Sequence, residues 1–196
     1  MISKQYKALV FDFAGVITED GLQKKLKEFE KRYNLPNLNV VHKKHWYDLS
    51  LGKISAYDYW IRIFKEYGRS MPFGRIKRLN EEVIAAHVPR KEVFYLIKNL
   101  KNIKKCLITN TCKEWFEAWN RKFKLNNIFD IIVKSYEERL RKPDPRIYKR
   151  MLEYLHLQPS KVLYIDDRIE NVQTARKLGI HTHLYSSTLI QRLSLD

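Results

Sequence analysis

Four short apolar runs, Ala8–Phe11, Cys106–Ile108, Ile131–Val133 and Val162–Ile165, are continuous rather than alternating. Runs of this length suit strands buried on both faces, as in a parallel sheet covered by helices. Between the later runs, apolar residues recur at three- and four-residue steps: Trp115, Phe116, Trp119 and Phe123; Ile147, Tyr148, Met151, Leu152 and Leu155; Val172, Ala175 and Leu178. That spacing puts each set on one face of a helix. The β-α-β-α rhythm predicts an α/β fold with a mainly parallel sheet. Asp144 before Pro145 reads as an N-cap with proline at the first helical position. Gly179 after Leu178 reads as a helix end ahead of a last strand, Ile180–Leu184.

Residues 17–91 break the rhythm. They hold no strand-like run but three amphipathic sets: Leu22, Leu26, Phe29 and Tyr33; Ile54, Tyr57, Ile61 and Phe64; Ile76, Leu79, Val83 and Ala86. Connectors containing Pro36, Gly52 and Pro72 separate them, and a helix start is expected at Ser55. A small helical bundle inserted after the first strand is the expectation, with no internal repeat.

At 196 residues and 44% apolar, the chain can bury a sizeable core without disulfide or metal staples. Its two cysteines, Cys106 and Cys112, match neither a zinc knuckle nor a redox pair, which points to a reducing, cytoplasmic setting. No apolar run reaches the ~20 residues a membrane helix needs, and the N-terminal stretch lacks a cleavage pattern, so a soluble, unprocessed protein is expected. The net charge is +16. Half of that excess lies in residues 101–150, with 14 basic against 6 acidic side chains. With no nucleic-acid recognition signature present, the field reads as attraction for phosphorylated metabolites rather than for nucleic acid.

Ligands of open α/β sheets gather at the carboxyl ends of the strands. After the four runs stand Asp12; Thr109 and Asn110; Ser135 and later Lys142; and Asp166 with Asp167. These residues carry a resemblance. Val10–Ile17 resembles the first motif of the haloacid dehalogenase-like hydrolase superfamily, made mostly of phosphatases. Leu107–Asn110 is similar to its second motif, Lys142–Tyr148 to its third, and Leu163–Asp167 with Glu170 and Asn171 to its fourth. The resemblance implies a Rossmann-like three-layer core formed by residues 1–16 and 92–196, with a helical cap at 17–91.

It also implies chemistry. Asp12 would be the nucleophile that forms an aspartyl-phosphate. Thr109, Asn110 and Lys142 would bind the substrate, with Thr109 and Lys142 holding phosphoryl oxygens. Asp12, the backbone carbonyl of Ala14, Asp166 and Asp167 would bind Mg2+. One position departs from the family pattern: Ala14 stands where the phosphatases usually carry the Asp that serves as general acid. Three readings follow: a magnesium-dependent phosphatase of small phosphorylated metabolites that acts on esters with good leaving groups or uses a cap residue or metal-bound water instead, a 2-haloacid dehalogenase-like enzyme, or a catalytically weak phosphate- or partner-binding module. Retention of both tandem acids favours the first, since dehalogenation needs no magnesium.

Weaker signals have plainer readings. His42 and His45, three apart, lack a third ligand and read as ordinary histidines. His181 and His183 share one face of the last strand and read as structural. Trp46, Tyr47, Tyr57, Tyr59 and Trp60 read mainly as bundle core, with substrate contact as the alternative for some of them. Cys112 lies close in sequence to the second motif and reads as unreactive. Apart from Lys142, the basic residues between Arg139 and Arg150 read as a solvated helix face and loop.

Overall fold

The computed structural model describes residues 5–188. Five parallel strands, β1 (Ala8–Phe11), β2 (Lys104–Thr109), β3 (Ile131–Lys134), β4 (Val162–Asp166) and β5 (His181–Leu184), lie in the order β3-β2-β1-β4-β5. The central strand β1 pairs on both sides, Val10 standing opposite Cys106 and Tyr164. Successive strand residues enter opposite cores. Leu9, Phe11, Leu107 and Ile165 join one apolar cluster, whereas Ala8, Val10, Cys106 and Tyr164 join the other. That two-sided burial explains why these strands are continuous apolar runs.

Helices α1 (Gly21–Tyr33), α2 (Leu38–Ser50), α3 (Ala56–Glu66) and α4 (Phe73–Ala86) lie between β1 and β2. Four helices therefore occupy the non-strand region expected at 17–91. Asp20 caps α1 by accepting from the Gln23 N–H at 3.1 Å, and Ser55 and Asp58 form a capping box on α3. This bundle shares one apolar cluster with the sheet. Asn80 of α4 couples the two, its Oδ1 accepting from Trp60 Nε1 at 3.2 Å and from Trp115 Nε1 at 2.8 Å.

Helices α5 (Lys91–Asn99) and α6 (Lys113–Phe123) pack on that cluster; the short α7 (Ser135–Glu138) follows β3; α8 (Pro145–Leu155) precedes β4 and α9 (Ile169–Lys177) precedes β5. Ile147, Tyr148, Met151 and Leu155 of α8 and Ala175 of α9 enter the other cluster. Asp144 caps α8 with Pro145 in its first turn, and Gly179 follows α9 at φ +81°. Three differences from the sequence reading stand out. Helix α5 was not foreseen. Strand β2 begins at Lys104, whose backbone pairs with Ala8 although its side chain is exposed. Strand β5 begins at His181 rather than Ile180; His181 and His183 are solvent-exposed on this edge strand, and the His181 ring meets Tyr6 edge-on at 5.3 Å. The outermost ends of the expected 1–16 and 92–196 ranges, residues 1–4 and 189–196, lie outside the described residues.

Candidate active site

Asp12 follows β1 directly and is 7% exposed. Its N–H donates to the Ile165 carbonyl at 3.0 Å, tying it to β4, and its Oδ1 accepts from the Phe13 N–H at 2.7 Å. The turn beyond it needs glycine at residue 15. Gly15 has φ +94°, and a Cβ there would lie 2.2 Å from Asp167 Oδ2. The first and fourth motifs thus meet in close contact.

Lys142 is buried, with Nζ 2.7 Å from Asp12 Oδ1 and 2.7 Å from Asp166 Oδ2. Asn110, just past β2, holds the segment that carries it. The Asn110 Nδ2 donates to the Lys142 carbonyl at 2.8 Å, and the Lys142 N–H donates to Asn110 Oδ1 at 2.9 Å. Asp166 also accepts from Asn171 Nδ2 at 3.0 Å, from the Arg168 N–H at 2.8 Å and from the Tyr164 hydroxyl. Asp167 makes no side-chain hydrogen bond to another described residue and is exposed. Thr109, at the end of β2, is 3% exposed and lines the same cavity as Asp12, Ala14, Asn110 and Lys142. Ser135 serves the scaffold instead, its Oγ donating to the Ser50 carbonyl at 2.6 Å and accepting from the Thr111 N–H at 3.0 Å.

Asp12, Asp166 and Asp167 each offer an oxygen, and the three lie within 4.8 Å of one another. Three carboxylates face one ammonium. Burial raises Asp12 to about 7, against the pull of Lys142 and with a further push from Asp166 and Asp167. Asp166 is held below its ordinary value despite burial, because Lys142 and its hydrogen bonds favour the charged form. Asp167, exposed as a residue but with its carboxyl partly desolvated, is raised by that desolvation and by Asp166. The two partners of Lys142 therefore shift in opposite directions: one cation cannot compensate both while a third carboxylate stands beside them. An all-oxygen cluster with uncompensated negative charge fits a hard divalent cation such as Mg2+.

A cavity of about 270 Å³ opens over this cluster. Two of its lining residues, Arg141 and His42, depart from their sequence readings. Arg141 lines the cavity instead of standing on a solvated face, whereas Arg146, Lys149 and Arg150 are exposed as expected. Trp46 lines it too, besides stacking on Trp115 at a centroid distance of 6.1 Å. His42 is a buried cavity residue whose Nδ1 lies 2.6 Å from the Tyr59 hydroxyl. His45 instead meets Glu66 Oε1 at 3.0 Å, so the two histidines share no ligand position. Cys112 is buried, and burial pushes its thiol well above the ordinary range, in keeping with an unreactive group. Asn171, part of the fourth motif, also lines the cavity, as does Arg168, which the sequence reading did not single out.

His42 carries a pH prediction. Burial, Arg168, Lys43 and Arg141 lower its pKa from 6.5 to about 3. The unfolded chain thus takes up a proton that the folded one refuses. Stability from this group is complete above pH 6.5 and is lost as pH falls toward 3, by up to about 1.4 kcal/mol per unit. In urea unfolding at pH 7, 6 and 5, His42→Gln should flatten the stability-versus-pH slope by close to one proton. An unchanged slope contradicts the assignment.

The profile of the haloacid dehalogenase-like hydrolases matches residues 6–179. The chain is 26% identical over 206 residues to the bifunctional epoxide hydrolase 2 of Sus scrofa, covering 93% of this chain but only 37% of the pig protein. It is 26% identical over 193 residues to the D-ribitol-5-phosphate phosphatase of Bacteroides thetaiotaomicron, covering 90% of each. A HAD family enzyme from the same bacterium, solved in complex with magnesium and inorganic phosphate, superposes with a TM-score of 0.76 at 22% identity, over 93% of this chain and 95% of that one. Nearly the whole chain, carboxylate cluster included, falls within that one profile, and the protein belongs to the haloacid dehalogenase-like hydrolases.

Proposed function

We propose that the protein is a magnesium-dependent phosphatase of small phosphorylated metabolites, with Asp12 as nucleophile. The observation that carries this reading is the meeting of Asp12, Asp166 and Asp167 within 4.8 Å around a single buried ammonium. A dehalogenase nucleophile needs no such surplus of negative charge. The Bacteroides relative, a D-ribitol-5-phosphate phosphatase, supports the same substrate class.

Asp12 Oδ1 is engaged by the Phe13 N–H and by Lys142, which leaves Oδ2 as the oxygen to attack phosphorus. The ester oxygen leaves as the aspartyl-phosphate forms, and water then cleaves that intermediate. Thr109 donates a hydroxyl and Lys142 an ammonium to the phosphoryl oxygens, where charge must be stabilised. Asp12, the Ala14 carbonyl and Asp167 would hold the ion, with Asp166 beside them as a further ligand and as the partner that orients Lys142. When bound, Mg2+ supplies charge neutralisation and orientation of the phosphate. Residues 17–91 act as the cap that covers this site and selects the substrate. The two buried thiols, Cys106 and Cys112, suit a reducing cytoplasm, and no helix among the described residues is long and apolar enough to cross a membrane.

The test is a screen of aryl, sugar and acyl phosphates with and without magnesium, beside Asp12→Asn. Metal-dependent turnover that falls by at least about 10³-fold in the variant is expected. Halide release without metal would favour a dehalogenase instead. Phosphate binding with no turnover of any ester would favour a binding module.

A further inference from the structure

The cavity over the carboxylate cluster carries three cations besides Lys142. Lys43 of α2, Arg141 immediately before Lys142, and Arg168 immediately after Asp167 all line it. None of the three forms an ion pair among the described residues, whereas neighbouring Arg146 pairs with Asp144, and Arg150 with Glu138 and Glu153. Arg141 is held in place: its guanidinium lies 5.6 Å from the centroid of the Tyr47 ring. Its Nε is buried and has no acceptor. Trp119, also on the cavity wall, carries a second buried N–H donor without a partner. An unpaired buried donor is costly, and a guanidinium that no carboxylate holds remains available to an anionic ligand.

Burial chiefly keeps a proton off His42, and Arg168, Lys43 and Arg141 lie near enough to add to it. Lys142 and a divalent ion together balance the three carboxylates. Lys43, Arg141 and Arg168 then outnumber Asp20, the further carboxylate on the cavity wall.

We infer that the cavity takes a phosphate ester carrying a second anionic group, a carboxylate or another phosphate, bound by Arg141 and Arg168 with Lys43 beside them. The inference rests on the phosphatase reading for the scissile end and adds the recognition of the other end. It assigns roles to residues outside the proposed nucleophile, phosphoryl donors and metal ligands.

Two matched pairs test it. In binding, para-carboxybenzyl phosphonate and its carboxamide, neither of which can be hydrolysed, are titrated calorimetrically into the magnesium-loaded protein. In turnover, glucose 1,6-bisphosphate is compared with glucose 1-phosphate, and para-carboxyphenyl phosphate with its carboxamide. In at least one pair the doubly anionic member should be preferred by about ten- to a hundredfold. The carboxylate pairs and the bisphosphate pair together tell which second anion is recognised. R141Q/R168Q should reduce the preference to within about threefold while leaving the singly anionic member nearly unchanged. R168Q alone, at an exposed position, should lose a measurable part of it and guards against misfolding of the double variant. Equal affinities within every pair overturn the inference. So does an equal fall for both members, since the arginines would then serve the scissile phosphate itself. Absence of magnesium- and Asp12-dependent turnover of every aryl phosphate rejects the phosphatase reading separately, because the phosphonate titration reports on the anion subsite without chemistry.

Discussion

Lys142→Met should destabilise the metal-free protein by about 3–5 kcal/mol and lower turnover by about 10²–10³-fold. The side chain is almost fully buried and lies 2.7 Å from both Asp12 and Asp166. Methionine fills a similar volume, so the loss reports charge rather than a cavity. Without the ammonium, two buried carboxylates face each other and Asp167 with nothing between them. Protonation can relieve part of that repulsion. Asp12 is already raised to about 7 with Lys142 present, and removing the cation moves it further up. The sign follows from linkage: a carboxyl raised in the fold holds a proton that the unfolded chain releases, so stability falls as pH rises through the interval between the two values. The penalty of the substitution should accordingly be smaller at pH 5 than at pH 8. Magnesium should stabilise the variant more than the parent, because the ion then supplies the only positive charge at the cluster. Chemical unfolding at both pH values, with and without magnesium, checks each statement. A loss under about 1 kcal/mol at pH 8 would mean that the carboxylates do not converge in solution.

The legible part of this molecule is the part that local chemistry dictates. Strands β1 and β4 are buried on both faces, and no residue in either run needs to be polar until the chain reaches Asp12 and Asp166. Strand-end acids stand out against such runs, and three of them do meet. Helix α5 was harder to see. Its buried residues, Val93, Leu96 and Ile97, fit one face, but nine residues directly before a strand give the period little room to register. What stayed hidden in the site depends on tertiary approach. Nothing local in the α2 sequence says that His42 packs on Tyr59 and reaches a cavity whose floor is Asp12. The Arg139–Arg150 stretch looks uniformly basic, yet Arg139 donates to the carbonyls of Leu51 and Gly52, Arg141 turns to the cavity, and Arg146 caps back onto Asp144. Likewise Asn110 is visible as a strand-end amide, while its two-way bonding to the Lys142 backbone emerges only once β2 and the segment before α8 are side by side.

Ala14→Asp should raise turnover of esters with poor leaving groups by about 10²–10⁴-fold while changing that of activated aryl esters far less. Ala14 lines the cavity two residues beyond the proposed nucleophile, and its methyl group cannot carry a proton. The two histidines on the cavity wall do not readily fill the gap. Burial together with nearby cations takes His42 to about 3, so it is neutral and holds no transferable proton near pH 7. His87 is lowered as well by burial, and its Nδ1 is engaged with the Val83 carbonyl at 2.8 Å. An alkoxide then has to depart without protonation, whereas a nitrophenolate, a sugar hemiacetal oxygen or a carboxylate leaves more readily. The parent protein should therefore show a steep dependence of kcat/KM on leaving-group pKa across a series of aryl and alkyl phosphates, and the variant a shallow one. The comparison of slopes is independent of how well any single ester fits the cavity, because each ester serves as its own control. A flat dependence in the parent would mean that another group already protonates the leaving oxygen. Asp20, which lines the cavity while capping α1 through the Gln23 N–H, is the acid to substitute next in that event. A steep dependence that Ala14→Asp fails to flatten would instead place the position out of reach of the departing oxygen.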